Sequence, residues 1–203
     1  PAAAAAAPLF QPAPQHAQAC FYAQVHNVIN TTDTSVELFD KSLNRTTALL
    51  KSTPVTATAI SPSKRFLAIA TSPMSAQAAA PTVTVWDAHL MTPAATLPRF
   101  HLKTVRRLVF SANGRYLAAV GGAGPLHGGE TAAVFHSPSG GWERDAYLAE
   151  TLALPPGARA LFAAPGPGAG EPFVFGGAGF AAFCSAAPGG LLTLASGDWG
   201  QGQ

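Results

Sequence analysis

Apolar residues in this chain form short runs that recur in a constant order, with turn-forming residues between them. The first full set is VTATAIS (55–61), FLAIAT (66–71) and TVTVW (82–86). The second set is VRRLVFS (105–111), YLAAVG (116–121) and TAAVF (131–135). Runs this short, bounded by Gly, Pro, Ser and Asn, predict β-strands joined by turns. The dipeptide Asn113–Gly114 supports a tight hairpin between two of these strands, because both residues tolerate positive φ.

An aromatic residue stands near the end of the third strand of each unit and defines the period. These residues are Phe39, Trp86, Phe135 and Phe183, at separations of 47, 49 and 48 positions. A unit of four short strands repeated at nearly this length is the blade of a β-propeller. The pattern therefore predicts an all-β fold, a propeller fragment of about four four-stranded blades. Trp86 is expected to be buried between adjacent blades.

The strands of each predicted blade are called a to d in chain order. The blades are expected near 20–50, 55–97, 105–154 and 158–200, and strand c of each is expected at 36–39, 82–86, 132–135 and 180–183. Of the first blade, only the last three strands are expected. The period is slightly longer than the ~40–45 residues usual for such blades, and the excess falls in the b–c loops. These loops are 72–81 and 122–130.

Residues 1–19 (PAAAAAAPLFQPAPQHAQA) have a different composition from the rest of the chain. Ala and Pro with so few large apolar residues cannot bury enough surface to offset the entropy of ordering. We predict a linker or an extended arm. The chain begins with Pro rather than Met, and propellers close with roughly four to eight blades. We therefore expect a partial chain whose remaining blades complete the propeller.

Composition and charge exclude several classes of function. Charged residues make up only 11% of the chain and the net charge is +2, which is too small to predict nucleic acid as a partner. The two cysteines, Cys20 and Cys184, are far apart and form no metal or redox motif, as expected in a reducing compartment such as the cytoplasm. No run reaches the ~18 apolar residues of a membrane span, so no membrane association is predicted.

Candidate catalytic chemistry is equally sparse. The six histidines are scattered, and none has a second ligand at metal spacing. The glycine-rich stretch GGAGPLHGGE (121–130) lacks the Gly-Lys-Ser/Thr ending of a phosphate-binding loop. We predict a protein without enzymatic activity, cofactor or metal.

The repeated units resemble WD repeats, and more narrowly the echinoderm microtubule-associated protein-like family. Two segments carry this resemblance: FHLKTVRRLVFSANGRYLAAVGG (100–122) and FVFGGAGFAAFCSAAPGGLLTLASGDWG (173–200). The resemblance implies a partial WD-repeat β-propeller over 20–203. The structural repeat positions that it implies are Phe39, Asp40, Trp86, Asp87, His101, Phe135 and Phe183.

The chain also departs from the pattern of WD repeats. Lys51 stands where the preceding blade would have the histidine that matches His101, and neither b–c loop has an evident aspartate. His136 and Cys184 replace the aspartate that follows the aromatic residue. The polar network of the blades is therefore expected to be incomplete, and packing to carry more of the stability.

The resemblance implies a non-catalytic scaffold associated with microtubules, with tubulin or other axonemal proteins as partners. The expected location is the cytoplasm and cytoskeleton, with the axoneme of a cilium or flagellum as one setting. The alternative is a general WD-repeat adaptor in a cytoplasmic signalling or trafficking complex.

A basic edge offers a candidate partner-binding site. Lys51, Arg99 and Lys103 fall in loops between strand d of one blade and strand a of the next, which share one face of a propeller. Lys64, Arg65 and Arg115 fall in a–b turns and should face the opposite side. The functional hypothesis is an acidic partner at Lys51, Arg99 and Lys103; the alternative is ordinary solvated loop charge.

Overall fold

The structure is a computed structural model that describes residues 19–22, 27–72, 80–98, 103–122, 130–155, 160–166, 172–177, 180–186 and 191–197. Every regular element among these residues is a β-strand. The described part of the chain contains no helix long and apolar enough to cross a membrane. The predicted arm at 1–19 lies outside the described residues except for Ala19, which begins the first strand. Arg99, His101 and most of both long b–c loops also lie outside the described residues.

Sixteen strands form four antiparallel sheets of four strands each. Sheet 1 contains β1 (Ala19–Tyr22), β2 (Asn27–Thr31), β3 (Ser35–Asp40) and β4 (Arg45–Lys51). Sheet 2 contains β5 (Val55–Ile60), β6 (Phe66–Thr71), β7 (Thr82–Asp87) and β8 (Thr92–Thr96). Sheet 3 contains β9 (Arg107–Phe110), β10 (Tyr116–Gly122), β11 (Glu130–His136) and β12 (Tyr147–Ala153). Sheet 4 contains β13 (Ala160–Pro165), β14 (Phe173–Gly177), β15 (Phe180–Ala186) and β16 (Leu192–Gly197).

Each sheet is a simple meander, because every strand pairs with the strand that follows it in the chain. All four predicted c strands are confirmed, as β3, β7, β11 and β15. The prediction that the first blade contributes only three strands is wrong. β1 pairs with β2 from Ala19↔Thr31 to Tyr22↔Val28 and completes sheet 1. The short run ACFY after the Ala/Pro-rich segment lacks clear polar alternation, which is why it escaped the sequence pattern.

Apolar side chains from both faces of the inner sheets form three separate cores. Neighbouring residues of a strand point to opposite faces of its sheet, so one strand can supply two cores. In β10, Leu117 packs between sheets 2 and 3, whereas Ala118 packs between sheets 3 and 4. In β6, Leu67 packs between sheets 1 and 2, whereas Ala68 packs between sheets 2 and 3. The four sheets therefore stack side by side in chain order.

The first strands of sheets 2, 3 and 4 lie next to one another along one edge of this stack. β5 contacts β9, and β9 contacts β13. These a strands are thus innermost and the d strands outermost. This arrangement places the connections between strands at the two ends of the strands, and the described a–b and c–d turns are positioned there for interaction.

The aromatic residues that define the period do not all occupy equivalent places. Phe135 is fully buried and packs towards sheet 2, while Trp86 packs towards sheet 1 but is only half-buried, less than predicted. Phe183 lies on the opposite face. Its neighbours Ala182 and Cys184 pack towards sheet 3, whereas Phe183 pairs with Val174 on the other side of sheet 4. A one-residue offset in a strand reverses the face, so spacing alone misplaced this position.

Candidate functional site

The meander topology gives the stack two distinct faces. Successive antiparallel strands reverse direction, so all a–b and c–d connections emerge on one side. This side is called the turn face; among its described connections are 41–44, 61–65, 88–91, 111–115 and 137–146. The b–c and d–a connections emerge on the other side, called the loop face.

The predicted basic edge lies on the loop face. Lys51 ends β4 and is exposed, and Lys103 is exposed ahead of β9. They fall at successive d–a connections, on either side of sheet 2. Arg106, nearby, donates to Glu130 at 2.9 Å, and the Glu130 side chain is only 8% exposed. Part of the positive charge at this edge therefore serves an intramolecular ion pair.

Aspartates at the end of strand c organise two turns in the same way. Asp40 Oδ1 accepts hydrogen bonds from the amides of Ser42 and Leu43 at 2.8 and 3.2 Å. Asp87 Oδ1 accepts those of His89 and Leu90 at 2.8 and 3.0 Å. The residue after each leucine has positive φ, 47° at Asn44 and 55° at Met91. The two repeat aspartates thus fix c–d turns of the same form.

Asp87 also begins a chain of charges that joins two sheets. Its Oδ2 accepts a hydrogen bond from Arg65 Nε at 2.8 Å, and Arg65 Nη2 donates to Glu143 of sheet 3 at 3.0 Å. Burial alone raises the pKa of Asp87, but hydrogen bonds from the Leu90 amide, Arg65 and the His89 amide outweigh it, so the pKa lies below its usual value. The carboxylate is therefore ionised at neutral pH, where it holds Arg65 between the two sheets.

Sequence reasoning missed the largest fully buried side chain of the described residues. Trp142 lies in the c–d connection of sheet 3, has φ 58° and is fully buried in the core between sheets 2 and 3. Its ring meets Phe110 edge-on, with centroids 5.6 Å apart, and its Nε1 donates to the Gly114 carbonyl at 3.1 Å. Its amide donates to Ser137 Oγ at 3.1 Å. The only sequence clue was a tryptophan beside Gly140 and Gly141, outside any strand pattern.

His136 replaces the repeat aspartate in sheet 3 and forms an aromatic cluster instead of an ion pair. Its ring stacks on Tyr116, with centroids 4.2 Å apart and 7° between the planes. Its Nδ1 hydrogen-bonds the Tyr147 hydroxyl at 3.1 Å. Burial lowers the pKa of His136, against an opposing effect of Asp145, so the ring is neutral at pH 7. In sheet 3, aromatic packing of His136 therefore replaces the ion pair that Asp87 forms in sheet 2. The departures from the repeat pattern led us to expect this larger role for packing.

Nothing in the described part of the chain assembles a reactive centre. No group of three or more His, Cys, Asp or Glu side chains there is placed to hold a metal ion. Cys184 is a free thiol, and burial raises its pKa to about 11, which keeps it protonated and unreactive. An open groove of about 440 Å³ runs between β5 and β9, lined by Thr58, Ile60 and Val109 among others. Its walls are mainly apolar and contain no acid–base pair.

A comparison with solved structures matches this architecture to the structure described as the Dos1 propeller. The TM-score is 0.56 at 15% sequence identity, over 78% of this chain and 39% of that one. The chain has a β-propeller fold. At this identity the likeness establishes the fold alone. No protein-family model and no curated protein matches the sequence.

The aligned lengths indicate how much of a propeller this chain contains. The chain corresponds to well under half the length of the Dos1 chain that it matches. Its four sheets correspond to four consecutive blades, and the predicted all-β propeller fragment of about four four-stranded blades is confirmed.

Proposed function

We propose that this chain is part of a non-catalytic scaffold that binds other proteins. The observation that carries the proposal is the stack of four blades, which displays short, hydrogen-bonded turns along one face. Such scaffolds hold binding residues in fixed positions. The described residues offer no competing catalytic arrangement.

The partner that we propose is the microtubule. Support comes from the resemblance of segments 100–122 and 173–200 to WD repeats of the echinoderm microtubule-associated protein-like family. This hypothesis places the protein in the cytoplasm and cytoskeleton, with an axoneme as one setting and other axonemal proteins as further partners. A general adaptor in a signalling or trafficking complex is the alternative.

Co-sedimentation of the full-length protein with polymerised microtubules tests this proposal. We expect saturable binding that weakens as salt is raised, because exposed charges are screened beyond about 8–10 Å at physiological ionic strength. A protein that stays in the supernatant even at low salt contradicts the microtubule hypothesis and favours the adaptor.

The same assay locates the contact predicted from sequence. Charge reversal at Lys51, Arg99 and Lys103 weakens microtubule binding if the loop face is in contact. Wild-type binding by a folded variant shows that these side chains are solvated charges with no role in the contact.

A further inference from the structure

Large apolar side chains are exposed at one kind of position in all four blades. Among the described residues, Leu43, Leu90, Tyr147 and Leu191 are exposed by 69%, 66%, 48% and 60%. Each belongs to a different sheet, and each lies in the c–d connection or directly beside it. Single exposed apolar residues are ordinary on protein surfaces. One per blade, at corresponding places on the turn face, is a repeated feature.

The first two of these side chains are held in place by the fold. Leu43 and Leu90 both donate their amides to the aspartate three residues earlier, Asp40 and Asp87. The 47-residue spacing of the leucines equals that of the aspartates. Because the backbone is fixed by the same turn in each blade, the two side chains are displayed in equivalent positions. Little additional ordering is then needed for binding, which favours affinity.

Exposed positive charge lies on the turn face of sheets 1 to 3, which carry three of these apolar side chains. Arg45, Lys64, Arg115 and Arg144 are exposed on the turn face, and none forms an ion pair with another described residue. The carboxylates of this face are engaged within the protein. Asp40 and Asp87 hold turns, Glu143 pairs with Arg65, and Asp145 accepts hydrogen bonds from Ser137 and Ser139.

We propose that the turn face is a docking surface for an acidic protein that bears apolar side chains of its own. This inference rests on the scaffold function proposed above and assigns its partner contact to the face opposite the predicted basic edge. The apolar side chains provide separate anchors, and the unpaired cations provide charge complementarity. A bilayer surface instead takes up a continuous apolar face, whereas here the exposed apolar side chains occur one per blade, and three of the four blades also present exposed cations on this face.

The probe is a random copolymer of glutamate and tyrosine, with polyglutamate as the purely acidic comparison. Binding of fluorescent polymer to the full-length protein is measured for wild type and three variants. The turn-face charge variant is Arg45→Glu, Lys64→Glu and Arg144→Glu. The apolar variant is Leu43→Ser and Leu90→Ser. The loop-face control carries Lys51→Glu and Lys103→Glu, together with Arg99→Glu from the same basic edge predicted from sequence. Circular dichroism verifies that each variant is folded.

We expect wild type to bind the copolymer more tightly than polyglutamate. The turn-face charge variant should bind both polymers about tenfold more weakly, since weak contributions of exposed ion pairs add over three sites. The apolar variant should lose preference for the copolymer while retaining polyglutamate binding. The loop-face control should lose clearly less affinity for both polymers than the turn-face charge variant. These changes require no microtubules, so the outcome is independent of the co-sedimentation result.

Three results overturn the proposal. One is an absence of copolymer binding by wild type at low salt. Another is a loss in the loop-face control that equals the loss in the turn-face charge variant. The third is binding to vesicles of phosphatidylcholine and phosphatidylserine that depends on Leu43 and Leu90, because it makes the turn face a membrane-binding surface.

Discussion

Replacement of Trp142 by alanine is expected to lower the free energy of unfolding by about 3–5 kcal/mol, as truncation of a large buried aromatic residue does. The side chain is fully buried between sheets 2 and 3, against Phe110. The change also removes the hydrogen bond from Nε1 to the Gly114 carbonyl. Urea unfolding of the full-length protein, followed by circular dichroism, measures the loss.

Trp86→Ala is the matched control for that variant. Trp86 is half-buried and packs on the edge of the core between sheets 1 and 2. Its removal should therefore cost less, about 1–3 kcal/mol, because the cost follows the apolar surface withdrawn from water. If Trp86→Ala proves more damaging than Trp142→Ala, the c–d connection of sheet 3 is not packed as described.

Replacement of Gly121 by alanine should be nearly as damaging, at about 3 kcal/mol, because overpacking against backbone cannot be relieved by a side-chain rotation. An added Cβ would overlap the carbonyl oxygen of Thr104. The Thr104 carbonyl cannot easily move away from the added Cβ. The flanking backbone is held by hydrogen bonds from the Lys103 amide to the Gly122 carbonyl and from the Arg106 amide to the Val120 carbonyl, both 2.8 Å.

The adjacent glycine provides the control. A Cβ at Gly122 would meet only the Thr104 hydroxyl oxygen, at 3.5 Å, an ordinary contact. Gly122→Ala should change the free energy of unfolding by no more than about 0.5 kcal/mol, like most substitutions in open space. Equal losses for the two alanine variants in the same unfolding assay would show that Thr104 does not approach β10 in this way.

The strands could be predicted because period and alternation reflect how blades pack. Each c strand must present side chains to the cores on both sides of its sheet, and this requirement recurs at every blade. The repeat spacing placed Phe183 on the wrong face of its sheet. Spacing locates a strand only to within about one residue, and an error of one residue moves a side chain to the opposite face. Sequence reasoning also failed for β1, whose four residues are too few to show a pattern.

The features of the turn face were harder to predict, for different reasons. Trp142 reaches the core from a connection with positive φ, a conformation that no hydrophobic period describes. The contact of Arg65 with Glu143 joins residues 78 positions apart and depends on how two sheets stack. Leu43 and Leu90 were accessible to sequence reasoning, because their spacing of 47 positions is that of Phe39 and Trp86. Their exposure, however, depends on the conformation of the turns that hold them, which the spacing does not reveal.

The side-by-side stacking of the blades brings the turns of neighbouring sheets together on one face, and the proposed docking surface exists only if the blades stack in this way. The contact between Arg65 of sheet 2 and Glu143 of sheet 3 reports on this stacking directly. In an Arg65→Lys variant of the full-length protein, a carbodiimide can join an amine at position 65 to any carboxylate in direct contact. Mass spectrometry of the digested product should find an amide bond between position 65 and Glu143, absent when Glu143→Gln is added. If position 65 of the folded protein is linked to other carboxylates but never to Glu143, the stacking described for sheets 2 and 3 is contradicted.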